Sequence, residues 1–148
     1  MNIRIICVGK IKEPYLRKGI GYYQKKLFTK ANVEIIEVDD EKTPDRASTK
    51  EEMQIRQIEG QRIIKHILPE SHVFALCIDG KQFSTNKFRR KLQLISANCQ
   101  NLIFIIGGSL GLSSEVLKKA DSKISFSAMT FPHQMMRMIL LEQLNQSM

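Results

Sequence analysis

Two loops in the last third of the chain have the residue types that bind a small ligand. Residues 107–112 read Gly-Gly-Ser-Leu-Gly-Leu and follow a strongly apolar segment, and residues 128–133 form a turn after a second segment of strand type. Gly107 and Gly108 lack a Cβ, so their backbone N–H groups can approach a flat ligand closely. The alternative is a turn that merely needs a positive φ. We expect a nucleotide-like ligand at these two loops.

The glycine spacing excludes two common nucleotide-binding motifs. A phosphate-binding P-loop has a Lys-Ser/Thr pair after its glycines, and no such pair follows residues 107–112 at the required spacing. A dinucleotide-binding fingerprint has the pattern G-x-G-x-x-G, whereas the pattern here is G-G-x-x-G. On this loop alone, a ligand contact and a plain turn are equally supported.

His133 and Arg137 are the residues best placed to act on a bound substrate. They lie four residues apart at the start of the last predicted helix, so they share one face of it. A histidine at a helix N-terminus tends to stay neutral, and an arginine one turn later could hold a phosphate or an anionic base. The alternative is a surface pair without a partner.

Metal chemistry is not expected from this sequence. Cys7, Cys77 and Cys99 lie far apart without a C-x-x-C pair, and the three histidines do not complete a cluster of ligands. Cys7 and Cys77 fall inside apolar segments, where a reduced cysteine usually acts as a small hydrophobic residue.

Strands alternate with helices along the whole chain. The predicted strands are residues 2–8, 33–38, 72–78, 102–106 and 123–127. The predicted helices are residues 13–27, 48 to about 66, a helix from 84 or 85, 113 to about 119, and a last helix from 132. Several strands are apolar throughout, as in strands covered on both faces. The pattern predicts one α/β domain over residues 1–148, with a mostly parallel sheet flanked by helices.

The predicted ligand site lies where three strands end. In open α/β sheets, ligands bind beyond the carboxyl ends of the strands. The third, fourth and fifth strands leave the sheet at Asp79-Gly80, Gly107-Gly108 and Ser127-Ala128. No apolar run reaches the roughly 18 residues of a membrane span, and the N-terminus lacks signal-peptide features. A cytoplasmic protein is expected.

The charge of +8 is unevenly distributed along the chain. Residues 1–30 hold eight Lys/Arg and one acid, residues 31–59 hold nine acids and four bases, and residues 60–148 hold eleven bases and five acids. Such segregation favours a polyanionic partner such as RNA. The alternative is a basic protein that is merely soluble.

Together these motifs resemble the ribosomal RNA large subunit methyltransferase H (RlmH) family of the SPOUT superfamily. The resemblance covers residues 1–143 and rests on residues 6–10, 76–80, 105–112 and 124–137. It implies an S-adenosylmethionine-dependent enzyme that methylates N3 of a pseudouridine in bacterial 23S rRNA. It also implies a homodimer and a deep trefoil knot near the C-terminus, although true knots are very rare.

The resemblance also implies which residues contact the cofactor. They are Leu76, Gly107, Phe126, Ser127, Ala128, Met129, Thr130 and Phe131. Removal of the pseudouridine N3 proton needs help, and the chemistry of the last helix offers two hypotheses: Arg137 stabilises the imide anion, or His133 acts as the base. The last helix is apolar on more than one face, which favours a subunit interface over a plain core helix.

One departure from the family concerns the end of the last helix. Family members usually continue past Leu-Glu-Gln with Tyr-Arg-Ala and a tail ending in Tyr-His and a basic residue. Here Leu141-Glu142-Gln143 is followed by Leu-Asn-Gln-Ser-Met. An alternative is therefore a non-catalytic ribosome- or RNA-binding relative that lost the catalytic tail. A weaker one is a flavodoxin-like nucleotide-binding protein. The substrate form, whether free rRNA, large subunit or assembled ribosome, stays open.

Overall fold

Five strands and five helices alternate in the computed structural model, which describes residues 1–148. The strands are β1 (Asn2–Val8), β2 (Asn32–Val38), β3 (His72–Gln82), β4 (Asn101–Ile106) and β5 (Ser122–Ser125). The helices are α1 (Pro14–Phe28), α2 (Thr49–Ile64), α3 (Thr85–Ser96), α4 (Ser114–Lys119) and α5 (His133–Ser147). Every predicted element is present, but β3 runs past residue 78 and β5 ends before residue 127.

All five strands lie in one sheet in the order β2-β1-β4-β3-β5, and every neighbouring pair is parallel. The predicted α/β class with a parallel sheet flanked by helices is therefore confirmed. The central strands β1 and β4 are almost wholly buried, which explains the apolar runs 5–8 in β1 and 102–106 in β4. The trefoil knot stays a prediction. No helix is both long enough and apolar enough to cross a membrane.

Helices cover the sheet on both faces. The larger core packs α1, α3 and α5 against one face, where the rings of Phe74 and Phe104 stack with centroids 4.7 Å apart. The smaller core joins the other face to α2 and α4 through residues such as Ile103 and Val116. Ser48, Ser84 and Ser113 accept hydrogen bonds that cap α2, α3 and α4, and Ser48 forms a capping box with Glu51.

The last helix contributes one face to the core of this single chain. Leu140, Leu141 and Leu144 are fully buried, and α5 packs between α1 and α3. The core explanation therefore accounts for these leucines without a second subunit. Other apolar residues of the helix, including Met135 and Ile139, stay half-buried. A subunit interface on that remaining face stays a prediction.

Local hydrogen bonds explain why the ends of β3 and β5 differ from the predicted ones. Ile124 pairs with both Leu76 and Lys81, so the four residues between them bulge out of β3 before pairing resumes. After β5, the Ser125 hydroxyl donates to the Ser127 carbonyl at 2.8 Å, and the Ser127 hydroxyl accepts from Met129 N at 3.0 Å. These bonds turn the chain away from the ladder, as serine hydroxyls commonly do.

Candidate functional site

A cavity of about 570 Å³ lies at the carboxyl ends of β3, β4 and β5. Its walls come from residues 76–79, residues 106–112, residues 124–127 and residues 129–133, joined by Leu117 and Met136. Its size is typical of small-molecule sites, and its position is the one expected in a parallel sheet. A cavity of about 370 Å³ at the opposite edge is lined by the amino ends of β1, β2 and β4. Position therefore favours the larger cavity.

Two glycines of the loop are required for different structural reasons, and contact with a ligand stays a prediction. Gly111 has a φ of 82°, so the turn does need a left-handed residue there. Gly107 is buried without a positive φ, and a Cβ on it would lie 2.9 Å from the carbonyl carbon of Gly111. The loop folds tightly onto itself, and Gly111 N donates to the Gly108 carbonyl at 3.1 Å.

Helix α2 supports the glycine loop from behind. Glu59 is 5% exposed, and one of its oxygens accepts from Glu41 N at 2.9 Å. Its other oxygen would lie 3.3 Å from a Cβ on Gly108. Burial raises the pKa of Glu59, against the opposing effect of the Glu41 bond. Glu59 was not predicted from the sequence, because nothing there distinguishes it from the exposed acids of α2.

The turn after β5 forms the outer wall of the cavity. Phe126, Ser127, Met129, Thr130 and Phe131 all line it, together with Leu76 and Gly107 from the other two segments. Ala128 does not line the cavity and is exposed. With that exception, the structure gathers the predicted cofactor residues around one space.

His133 lies on the cavity wall in the first turn of α5. Burial lowers the pKa of His133, and the nearby positive charge of Arg137 lowers it further, whereas Asp40 opposes both. The imidazole is therefore neutral near pH 7 and can accept a proton.

Arg137 is buried behind the wall and does not line the cavity. Only 2% of the residue is exposed, and its guanidinium donates to Glu37 Oε2 at 2.5 Å, the Gly9 carbonyl at 2.6 Å and the Val8 carbonyl at 3.2 Å. The alternative explanation, a surface pair without a partner, is therefore wrong for Arg137. Its contacts tie the first turns of α5 to the ends of β1 and β2.

Glu37 is the second residue that the sequence analysis missed. Its Oε2 also accepts from Ile11 N at 3.2 Å, so one carboxylate fixes both Arg137 and the loop after β1. Gln134 adds a weaker bond from its side-chain amide to the Lys10 carbonyl at 3.4 Å. The sequence placed Glu37 on a strand but gave no indication of a partner 100 residues away.

Cys7 and Cys77 show no sign of reactivity. Burial raises the pKa of the Cys7 thiol to about 12. Burial also raises the pKa of Cys77, and the carboxylate of Asp79 adds to that effect. Both thiols stay protonated near pH 7. No group of three or more His, Cys, Asp or Glu side chains is placed to hold a metal ion.

Comparison with known proteins agrees with this geometry. The sequence model of a family described as "Predicted SPOUT methyltransferase" matches residues 1–148. The chain belongs to the SPOUT methyltransferase family. This confirms the expected superfamily and excludes the flavodoxin-like alternative.

Curated relatives of this SPOUT methyltransferase carry closely similar names. A protein of an Exiguobacterium species named "Ribosomal RNA large subunit methyltransferase H" is 51% identical over 145 residues, which cover 97% of this chain and 91% of the relative. A Clostridium perfringens protein named "Ribosomal RNA large subunit methyltransferase H 1" is 49% identical over 148 residues, with 97% and 91% covered. A Bacillus cytotoxicus protein, also named "Ribosomal RNA large subunit methyltransferase H", is 48% identical over 145 residues, which cover 97% of this chain and 91% of the relative.

SPOUT methyltransferases generally use S-adenosylmethionine, and the cavity walls suit that molecule. Apolar side chains such as Leu76, Ile106 and Phe126 can cover a flat adenine. Asp79 is the one carboxylate on the wall, and no Lys or Arg lines the cavity. A cationic ligand with hydroxyl and amino donors fits this wall better than a nucleotide phosphate, which would meet no cation. The residues present therefore fit the cofactor of the family.

Proposed function

We propose that this SPOUT methyltransferase methylates N3 of a pseudouridine in bacterial 23S rRNA and uses S-adenosylmethionine as methyl donor. We propose also that it acts as a homodimer in the cytoplasm. The observation that carries the proposal is the cavity where the bulge of β3, the glycine loop and residues 126–131 meet without a cationic side chain. The names of relatives that are about half identical support the rRNA substrate. The pseudouridine specificity and the homodimer rest on the resemblance of residues 105–112 and 124–137 to the RlmH family.

The cofactor would be held mainly by backbone and apolar groups. We assign its contacts to the set inferred from the resemblance, which is Leu76, Gly107, Phe126, Ser127, Ala128, Met129, Thr130 and Phe131. Of these, Ala128 is exposed and does not line the cavity, so it would act by shaping the turn. When bound, S-adenosylmethionine supplies an activated methyl group. The walls contribute orientation and exclusion of water, which account for much of the help that a displacement reaction needs.

His133 and Arg137 would act on the substrate base in different ways. The imidazole lines the cavity and is neutral near pH 7. We therefore assign to His133 the role of the base that accepts the N3 proton of the pseudouridine. The Arg137 guanidinium is already bonded to three acceptors. It would therefore act through position and charge, by fixing α5 and keeping His133 neutral, and not by contact with the base.

The rate of methyl transfer should depend on the protonation of His133. Because its pKa lies below the ordinary value of about 6.5, the imidazole is neutral above that pKa and becomes charged as the pH falls through it. We expect the single-turnover rate with saturating cofactor to fall on the acidic side, measured from about pH 5 to about pH 8. His133→Gln should remove the inflection and slow transfer by roughly 10²–10⁴.

His72→Gln provides the matched control for that pH profile. His72 bonds to the Ser122 hydroxyl at the amino end of β3, far from the cavity. Its replacement should leave both the inflection and the rate unchanged. An inflection that persists in His133→Gln would show that another group accepts the proton.

A labelling experiment tests the proposed reaction. Ribosomes, isolated large subunits and free 23S rRNA are each incubated with the protein and with S-adenosylmethionine labelled in its methyl group. We expect label at N3 of a pseudouridine in at least one of these substrates. Label at any other position would contradict the assigned specificity. Cofactor binding without transfer to any substrate would support the non-catalytic relative, which the methyltransferase names of the relatives do not favour.

A further inference from the structure

A second depression adjoins the cofactor cavity and shares only Phe126 and Phe131 with the cofactor contacts assigned above. It has a volume of about 340 Å³ and lies between the start of α3 and the middle of α5. Its lining includes Phe83, Thr85, Phe126, Phe131, Ile139 and Gln143. We propose that this groove holds a single-stranded nucleotide of the RNA substrate, with its base placed beside the cofactor cavity. The inference rests on the proposed function and specifies how that substrate is held.

Shared walls place the groove where an acceptor base must be. Ile124, Ser125, Phe126 and Phe131 line both the groove and the cofactor cavity. Methyl donor and acceptor have to approach to roughly 3–3.5 Å, so the acceptor site must adjoin the donor site. The cavity at the amino ends of the strands shares no residue with the cofactor cavity and cannot meet this requirement.

Aromatic rings and lysines surround the groove in the combination that binds single-stranded nucleic acid. Phe83 is half-buried on its wall, and Phe131 is 37% exposed between the two sites. The ammonium groups of Lys81 and Lys91 lie 5.3 and 5.4 Å from the centroid of the Phe83 ring. Bases stack on such rings, and the neighbouring cations attract the phosphates. The two cations beside the ring favour the phosphates of RNA as the occupant of this groove.

Gln143 has an amide group oriented for recognition of a base. The Thr85 hydroxyl donates to Gln143 Oε1 at 2.8 Å, so the amide oxygen is held by the protein. The structure gives its Nε2 no protein acceptor, which leaves two N–H donors. A uracil-type base presents carbonyl oxygens that can accept them. Gln143 is therefore assigned as a base-binding residue for pyrimidine carbonyls.

Two variants test the groove with the full-length protein and ribosomal RNA. Gln143→Leu removes the amide donors, and Phe83→Ala removes the stacking ring. We expect each to raise the KM for RNA at least tenfold, with the S-adenosylmethionine Kd from calorimetry within twofold of the wild type. Gln146→Leu is the control, because Gln146 lies one turn further along α5 on an exposed site and bonds to Glu142. It should leave both constants unchanged.

Three outcomes would overturn the groove as an RNA site. One is an unchanged KM for RNA in both variants. Another is an equal loss of cofactor affinity, which would make the groove part of the cofactor site. The third is a change in sedimentation from dimer to monomer, which would make it a subunit contact. Wild-type protein that fails to methylate any rRNA would instead contradict the proposed function, so the two failures are distinguishable.

Discussion

Replacing Arg137 with alanine is expected to lower the free energy of unfolding by about 3 kcal/mol, at the lower end of the cost of breaking a buried ion pair. The guanidinium is 2% exposed and bonds to one carboxylate and two backbone carbonyls. Its removal leaves the carbonyls of Val8 and Gly9 without this donor and opens a void. The loss stays at the lower end because the Glu37 side chain is 36% exposed and can be rehydrated. Urea unfolding followed by circular dichroism measures the change.

Arg56→Ala is the matched control for the arginine deletion. Arg56 pairs with Glu52 across one turn of α2 at 3.9 Å, and both side chains are in contact with solvent. A pair of this kind contributes about 0.5 kcal/mol or less. Arg137→Lys should recover part of the loss, since it keeps the charge but not the fork of donors. If Arg137→Ala unfolded at the same urea concentration as Arg56→Ala, the buried network would have no role in stability.

The same contacts connect stability to the candidate site. His133 and Met136 line the cavity from the first turn of α5, and Arg137 holds that turn against the ends of β1 and β2. A helix that moves by even 1 Å would misplace the proposed base, and such displacements can cost about 10² in rate. Loss of activity in Arg137→Ala would therefore be expected even though its guanidinium does not line the cavity.

Local sequence patterns were sufficient for most of the fold. Apolar runs such as 102–106 and serine caps such as Ser48 and Ser113 have local causes, so the strands and helix starts could be predicted. The end of β5 could not, because Ser125 and Ser127 use their hydroxyls to turn a chain that otherwise has strand composition. Strand order depends on pairings between distant segments, which periodicity does not encode.

The candidate site was predicted unevenly for the same reason. Gly107 and residues 126–131 lie in loops whose composition is unusual. The resemblance to the RlmH family then indicated S-adenosylmethionine as the ligand of these loops. Glu37 and Glu59 look like ordinary acids in the sequence, yet each fixes a loop that lies far along the chain. Their surroundings depend on the tertiary fold, so no local pattern could single them out. The acidic segment 31–59 thus contributes internal supports to the site.

Gly107→Ala is expected to weaken S-adenosylmethionine binding by about fivefold to 150-fold, the equivalent of an overpacking cost of roughly 1–3 kcal/mol. The new Cβ would lie 2.9 Å from the Gly111 carbonyl carbon and 3.0 Å from Leu112 Cδ2, so backbone on the cavity wall has to shift. Gly21→Ala is the control, since a Cβ there meets nothing within 4 Å and alanine favours a helix. Calorimetric titration of both folded variants measures the difference. Equal affinities would mean that the glycine loop does not contact the cofactor.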